Sequence, residues 1–143
     1  MSDGDLKPFA LFADLGDGER EELASLLEER DLSTGETLFE EGDDADALML
    51  VLRGRVELSC RRCRDKVHVG PGDTIGALAI FAVGSRETTA IGAEASDLRL
   101  LRREDFLRFA EDHPRAAFRI AAAVAAEVAQ HARAALAGDA SVG

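Results

Sequence analysis

The rhythm of hydrophobic and polar positions changes twice along the chain. Over residues 8–30, PFALFADLGDGEREELASLLEER, Leu23, Leu26 and Leu27 recur at helical spacing on one stripe. Asp17 is placed to cap that stretch, and acidic residues fill its first turn. The pattern predicts a turn and then a packing helix. From 31 to 101 the runs shorten to ETLFE, ALMLVL, RVELSC, KVHV, TTAIGA and LRLL, with glycine-containing turns at 35–36, 40–47, 53–54, 70–73 and 84–85. Short runs with this punctuation predict an antiparallel sandwich or jelly roll, the double-stranded β-helix arrangement.

One segment breaks the β rhythm. GALAIFAV, 76–83, is made of good helix formers and predicts a short helix inside the β region. From Arg103 the pattern is helical again: REDFLRFAEDHP starts at its acidic residues and stops at Pro114. The alanine-rich RAAFRIAAAVAAEVAQHARAAL then predicts a long helix over 115–137. Ala117, Ala121, Val124, Val128, His131 and Ala135 step by four and three along it, a narrow seam that suits a partner helix or the chain's own barrel. GDASVG, 138–143, reads as a frayed tail. The expected organisation is one domain over 1–143, mainly β with flanking α-helices, whose N-terminal helix and β roll occupy 8–114.

Composition narrows the function classes. At 143 residues the chain has room for one domain with a real core. No apolar run approaches the roughly 20 residues needed to cross a bilayer. The start, MSDGDLKPFALF, lacks the basic and apolar segments of an export signal, so the location read from it is cytoplasmic. A net charge of −11 repels nucleic-acid phosphates and anionic membranes, which argues against both as direct partners. Positive charge is bunched locally, at RRCR (61–64) and LRRED (101–105).

The stretch GDTIGALAIFAVGSRETTA, 72–90, carries the strongest candidate chemistry. Gly72 and Gly76 lead into the short helix, and a lone arginine, Arg86, follows it. A helical turn approached through glycine offers backbone N–H groups, and arginine supplies a planar permanent cation, together a seat for a compact anion.

These pieces in this order resemble the cyclic nucleotide-binding domain family, the sensor module of catabolite-activator-type regulators, cyclic-nucleotide-dependent kinases and gated channels. GETLFEEGDDADALMLVLRGRVEL (35–58), with Gly35, Gly42 and Gly54 at turns, is similar to the family's early strands. VGPGDTIG (69–76) is similar to the approach to its phosphate-binding cassette, and LRLLRREDF (98–106) to its last strand and next helix. The resemblance runs from about residue 8 to 114, with an extension into the last helix.

The resemblance implies a role for Arg86 as the partner of a cyclic phosphate, aided by backbone N–H groups of Gly76, Ala77 and Leu78. It also implies a glutamate nine positions earlier that binds the ribose 2′-hydroxyl; the spacing is kept, but position 77 is alanine. Loss of such a bond weakens a ribose-bearing ligand by about 10- to 150-fold. Where the family has a small or hydroxylated residue after the arginine, this chain has Glu87, which strand alternation places on the face away from Arg86's target. A backbone kink there would bring it against the phosphate. Thr88 or Thr89 is expected to offer a hydroxyl to the anion.

The implied ligand is a small phosphate-bearing nucleotide, cyclic AMP or cyclic GMP, with no cofactor required. Its occupancy is expected to pass through the C-terminal helix to a second copy, forming a homodimer, or to a protein partner. Ala77 and Glu87 also fit a degenerate pocket whose domain serves only in dimerisation or docking. A third reading rests on CRRC, where Cys60 and Cys63, with His68 as a weak third ligand, would make a redox or metal sensor. The preferred view of that pair is two reduced thiols in a loop. The acidic turn EEGDDAD lacks the ligand pattern of a calcium loop. His113 and His131 have no serine, cysteine or acid at a spacing that proposes nucleophilic catalysis, so the chain is read as no enzyme.

Overall fold

The structure, a computed structural model, describes residues 3–137; the tail expected to fray, 138–143, lies outside them. After a short helix α1 (Asp3–Leu6) and a 3-10 turn (Ala10–Phe12), helix α2 spans Asp17–Ser25. Ten strands follow: β1 (Glu28–Leu32), β2 (Thr37–Phe39), β3 (Asp44–Ala45), β4 (Ala47–Arg53), β5 (Val56–Ser59), β6 (Val67–Val69), β7 (Thr74–Ile75), β8 (Gly84–Ser85), β9 (Thr89–Gly92) and β10 (Ser96–Arg102). A 3-10 helix, Ala77–Ile80, lies between β7 and β8, and helices α3 (Arg103–Asp112) and α4 (Pro114–Leu136) complete the described chain.

Two four-stranded antiparallel sheets, ordered β1-β10-β4-β7 and β2-β9-β5-β6, face each other, with β3 and β8 as a separate pair. This is the expected jelly roll with flanking helices. The glycines expected at turns, Gly35, Gly42 and Gly54, all have positive φ.

Strand β4 shows why both halves of the molecule cohere. Its run ALMLV is buried on both faces. Met49 and Val51 point between the sheets, among Leu32, Phe39, Val56, Ile75, Ala90 and Leu98. Leu48 and Leu50 point the other way, into a cluster with Phe9, Phe12, Leu23, Phe106, Ile120 and Val124 from the helices. Period-two alternation thus lets one strand seed two cores.

Two expectations need correction, and the seam on α4 divides. Gly16 precedes α2, and Asp17 is its first helical residue, engaging Arg20 at 2.6 Å instead of capping. The helix stops at Ser25, since Glu28–Leu32 pair with β10 in register from Glu28↔Leu100 to Leu32↔Ser96; tertiary pairing overrides the helix preference of EER. On α4 the buried stripe is Ala116, Ile120 and Val124, stepping by four, so of the anticipated seam only Val124 is buried. Ala117 and Ala121 are half-buried, and Val128, His131 and Ala135 are exposed. The stripe follows Ile120, the bulkiest apolar side chain in that turn to reach the core.

Candidate functional site

Gly76 and the 3-10 helix after it are hung between the two cores. Ile75, paired with Met49, anchors one end in the sandwich, and Ile80 anchors the other among the helices. Between them Gly76 turns with φ 71° and ψ 41°, a left-handed conformation open chiefly to glycine. The first N–H groups of a short helix have no intrahelical acceptor, so Ala77 and Leu78 offer donors at this floor.

Arg86 follows β8, which pairs with β3. Its backbone is fixed on both sides: its N–H donates to Asp43 O at 2.6 Å, and its carbonyl accepts from the Gly42 N–H at 2.8 Å. The side chain is only 6% exposed. Nη2 donates to Ala47 O at 2.9 Å, and the guanidinium lies 4.5 Å from the centre of the Phe39 ring. Burial pulls its pKa below the ordinary arginine value, opposed by the fields of Asp46 and Asp43. Arginine stays protonated under such shifts. Among the described residues no carboxylate forms an ion pair with it, so a buried cation stands without a counter-anion.

That cation borders a cavity of about 340 Å³, a size suited to a small molecule. Gly76, Ala77 and Leu78 form the floor, Phe39 and Leu58 one wall, and Val124, Glu127, Val128 and His131 of α4 the roof. Among the expected hydroxyls, Thr88 lines the cavity, whereas Thr89 Oγ1 accepts from the Glu41 N–H at 2.9 Å. Glu87 also lines it, against the expectation that it faces away. Strand pairing ends at Ser85 and resumes at Thr89, and the bend between breaks the alternation on which that expectation rested.

Sequence reasoning missed three contributors. Phe39 reads as an ordinary core residue until the fold brings it under Arg86. Glu127 is one helical turn beyond Val124, a spacing that signals a shared face. Arg103, in the basic bunch 101–105, clamps the cassette: Nε donates to Ala79 O at 2.7 Å, Nη2 to Ala82 O at 3.1 Å, and Nη2 also to Ala45 O. Beside it Phe81 meets Phe106 of α3 edge to face, centroids 5.0 Å apart.

Cys60 and Cys63 are not reduced thiols: they form a disulfide across the β5–β6 connection, Cα atoms 5.0 Å apart. The Arg61 N–H within that turn donates to Glu41 Oε1 at 3.0 Å. His68 sits 3.8 Å from Glu57 on β5. Among the described residues no group of three histidine, cysteine or acidic side chains is arranged to hold a metal.

Residues 29–113 match the family described as cyclic nucleotide-binding domain. A cyclic AMP receptor protein of Thermus thermophilus is 31% identical over 124 residues, 84% of this chain and 57% of that protein. The lysophospholipase nte1 of Neurospora crassa is 31% identical over 107 residues, 71% of this chain and 7% of that protein. Among solved structures, the N-terminal domain of a transcriptional regulator from Streptomyces coelicolor superposes with TM-score 0.80 at 32% identity, over 91% of this chain and 94% of that one. The chain thus spans 57% of the bacterial relative's length and a small fraction of the fungal one.

Proposed function

This chain belongs to the cyclic nucleotide-binding domain family, and from that premise we propose that it is a non-catalytic regulatory sensor whose cavity takes a 3′,5′-cyclic nucleotide such as cyclic AMP or cyclic GMP. The observation that carries the reading is Arg86: a cation held at 6% exposure, with carbonyl and aromatic partners but no ion-paired carboxylate among the described residues, at the wall of a cavity of ligand size. A phosphate supplies the missing charge, and the floor N–H groups add directional donors.

Occupancy is relayed by linkage, because the ligand favours whichever arrangement of cassette and helices closes best on it. Two features support that route. Arg103 and the Phe81–Phe106 contact tie the cassette to α3, and the exposed half of α4 overhangs the cavity. The output surface is then α4, acting on a second copy or a protein partner in the cytoplasm. No helix among the described residues is long and apolar enough to cross a membrane.

Calorimetric titration with cyclic AMP and cyclic GMP, beside Arg86→Ala, tests the reading. Binding abolished by the substitution is the expected result. No heat and no thermal shift from either nucleotide at millimolar concentration would overturn it, leaving a fold that serves in docking alone.

The Cys60–Cys63 disulfide favours a second reading, in which thiol redox state adjusts the same site. Thiol titration of purified protein before and after reduction, paired with the nucleotide titration, tests it.

A further inference from the structure

If the cavity takes a cyclic nucleotide, as proposed above, Arg86 accounts for the phosphate but nothing on the floor accounts for the sugar. A ribose 2′-hydroxyl is a hydrogen-bond donor, and a donor that loses water on binding without gaining an acceptor costs affinity. Ala77, beside the Gly76 that adjoins Arg86, presents only a methyl group.

Two carboxylates line the cavity, Glu87 and Glu127. Glu87 immediately follows Arg86 on the exposed bend, so it sits on the phosphate side, where a like charge repels the ligand. Glu127 belongs to the roof, on α4. Ala77 packs against the core cluster that contains Val124. Glu127 is three residues beyond Val124 on α4, so it shares that side of the helix and borders the same cavity as Ala77. It forms no hydrogen bond or ion pair with another described residue, and the fields that reach Arg86 come from Asp46 and Asp43. It also borders the outer groove between α4 and residues Ala10, Leu11 and Gly72. Rotation about its own side-chain torsions therefore carries it between solvent and cavity.

We infer that Glu127 replaces the acceptor absent at position 77, so that the ribose 2′-hydroxyl is read by the roof helix and not by the floor. The consequence reaches beyond affinity. When the acceptor belongs to the floor, the sugar is held whatever the helix does; here the sugar is satisfied only when α4 is down. The ligand class is thereby specified as a cyclic ribonucleotide, and its hydroxyl becomes the group that couples occupancy to α4.

The test is a titration of the purified chain with cyclic AMP, cyclic GMP and their 2′-deoxy counterparts, repeated on Glu127→Gln and Glu87→Gln. The parent is expected to bind the better ribonucleotide about 10- to 100-fold more tightly than its deoxy form. In Glu127→Gln that ratio is expected to fall toward one through loss of ribonucleotide affinity, with deoxy affinity nearly unchanged; Glu87→Gln is expected to keep the ratio. Unchanged thermal unfolding of ligand-free Glu127→Gln confirms that the exposed substitution leaves the fold intact. Equal binding of ribo and deoxy forms by the parent, a ratio kept in Glu127→Gln, or a ratio lost in Glu87→Gln would each overturn the inference while leaving the nucleotide sensor standing. Silence from every nucleotide would overturn the sensor reading, and this inference with it.

Discussion

Gly76 and Arg86 occupy adjoining space: a Cβ built on the glycine would overlap Nη1 of the arginine. The glycine also has φ 71°, so two independent constraints converge on one hydrogen atom. Gly76→Ala is expected to cost about 1–3 kcal/mol of stability from the left-handed backbone alone. It should also push the guanidinium off its seat at the cavity wall, so nucleotide affinity falls together with the urea midpoint. A variant that kept both would contradict this account of the seat.

Arg86 itself should be a stability liability that function retains. Its charge is desolvated, and its nearest compensation is a carbonyl and an aromatic face. Replacing buried charge by a well-packed apolar group of similar volume is often neutral or stabilising. Ligand-free Arg86→Met is therefore expected to unfold at the same or higher urea concentration than the parent, by up to about 2 kcal/mol, while binding no nucleotide. A clear loss of stability without ligand would show that the Ala47 and Phe39 contacts outweigh the desolvation.

The strand runs were legible because alternation and glycine punctuation are local signals: ALMLVL and RVELSC fall on β4 and β5 within a residue. Strand β1 was not, since EER carries helix propensity and becomes a strand only by pairing with β10 some 70 residues away. The same division holds at the site. Gly76 and Arg86 stand out at fixed spacing within one segment, whereas Phe39, Glu127 and Arg103 reach the cavity or its cassette only through the fold. The bend that brings Glu87 into the cavity lining is also invisible locally, because it depends on β8 ending its pairing with β3 at Ser85.

Arg103 gathers three carbonyls, from Ala79, Ala82 and Ala45, onto one guanidinium. Truncation orphans all three at once. Arg103→Ala is expected to cost about 1–3 kcal/mol and to speed amide hydrogen exchange over 77–82 more than over β4. Arg103→Lys should rescue only part, because one ammonium does not reproduce the planar fork. Uniform exchange changes across the barrel would argue against a local clamp.

Acid should loosen the turn before β2 through Glu36. Its carboxylate accepts from the Ser33 N–H at 2.9 Å and from Arg30 at 3.2 Å, which together hold its pKa below the ordinary glutamate value. The sign follows from linkage: the unfolded chain binds this proton more readily, so the contribution is fully present above the ordinary glutamate pKa and fades as pH falls through the lowered one. Carboxyl chemical shifts followed by NMR should place Glu36 below the chain's exposed glutamates; a midpoint at or above theirs would sink the assignment.

The Cys60–Cys63 bridge closes a loop of only four residues, so chain entropy limits its contribution to about 2 kcal/mol. A soluble dithiol reduces it by a two-electron exchange, leaving two protein thiols and the reagent's own disulfide. Reduction is thus expected to lower the unfolding temperature by at most roughly 4–8 °C. A local effect reaches further than that loss implies. The bridged turn places the Arg61 N–H on Glu41, whose own N–H holds Thr89, while the adjacent Gly42 N–H holds the carbonyl of Arg86. Loosening the turn should therefore weaken nucleotide binding several-fold. The double variant Cys60→Ser, Cys63→Ser should bind like the reduced parent and ignore the dithiol. If oxidised, reduced and serine forms bind alike, the turn is a structural brace with no hold on the site.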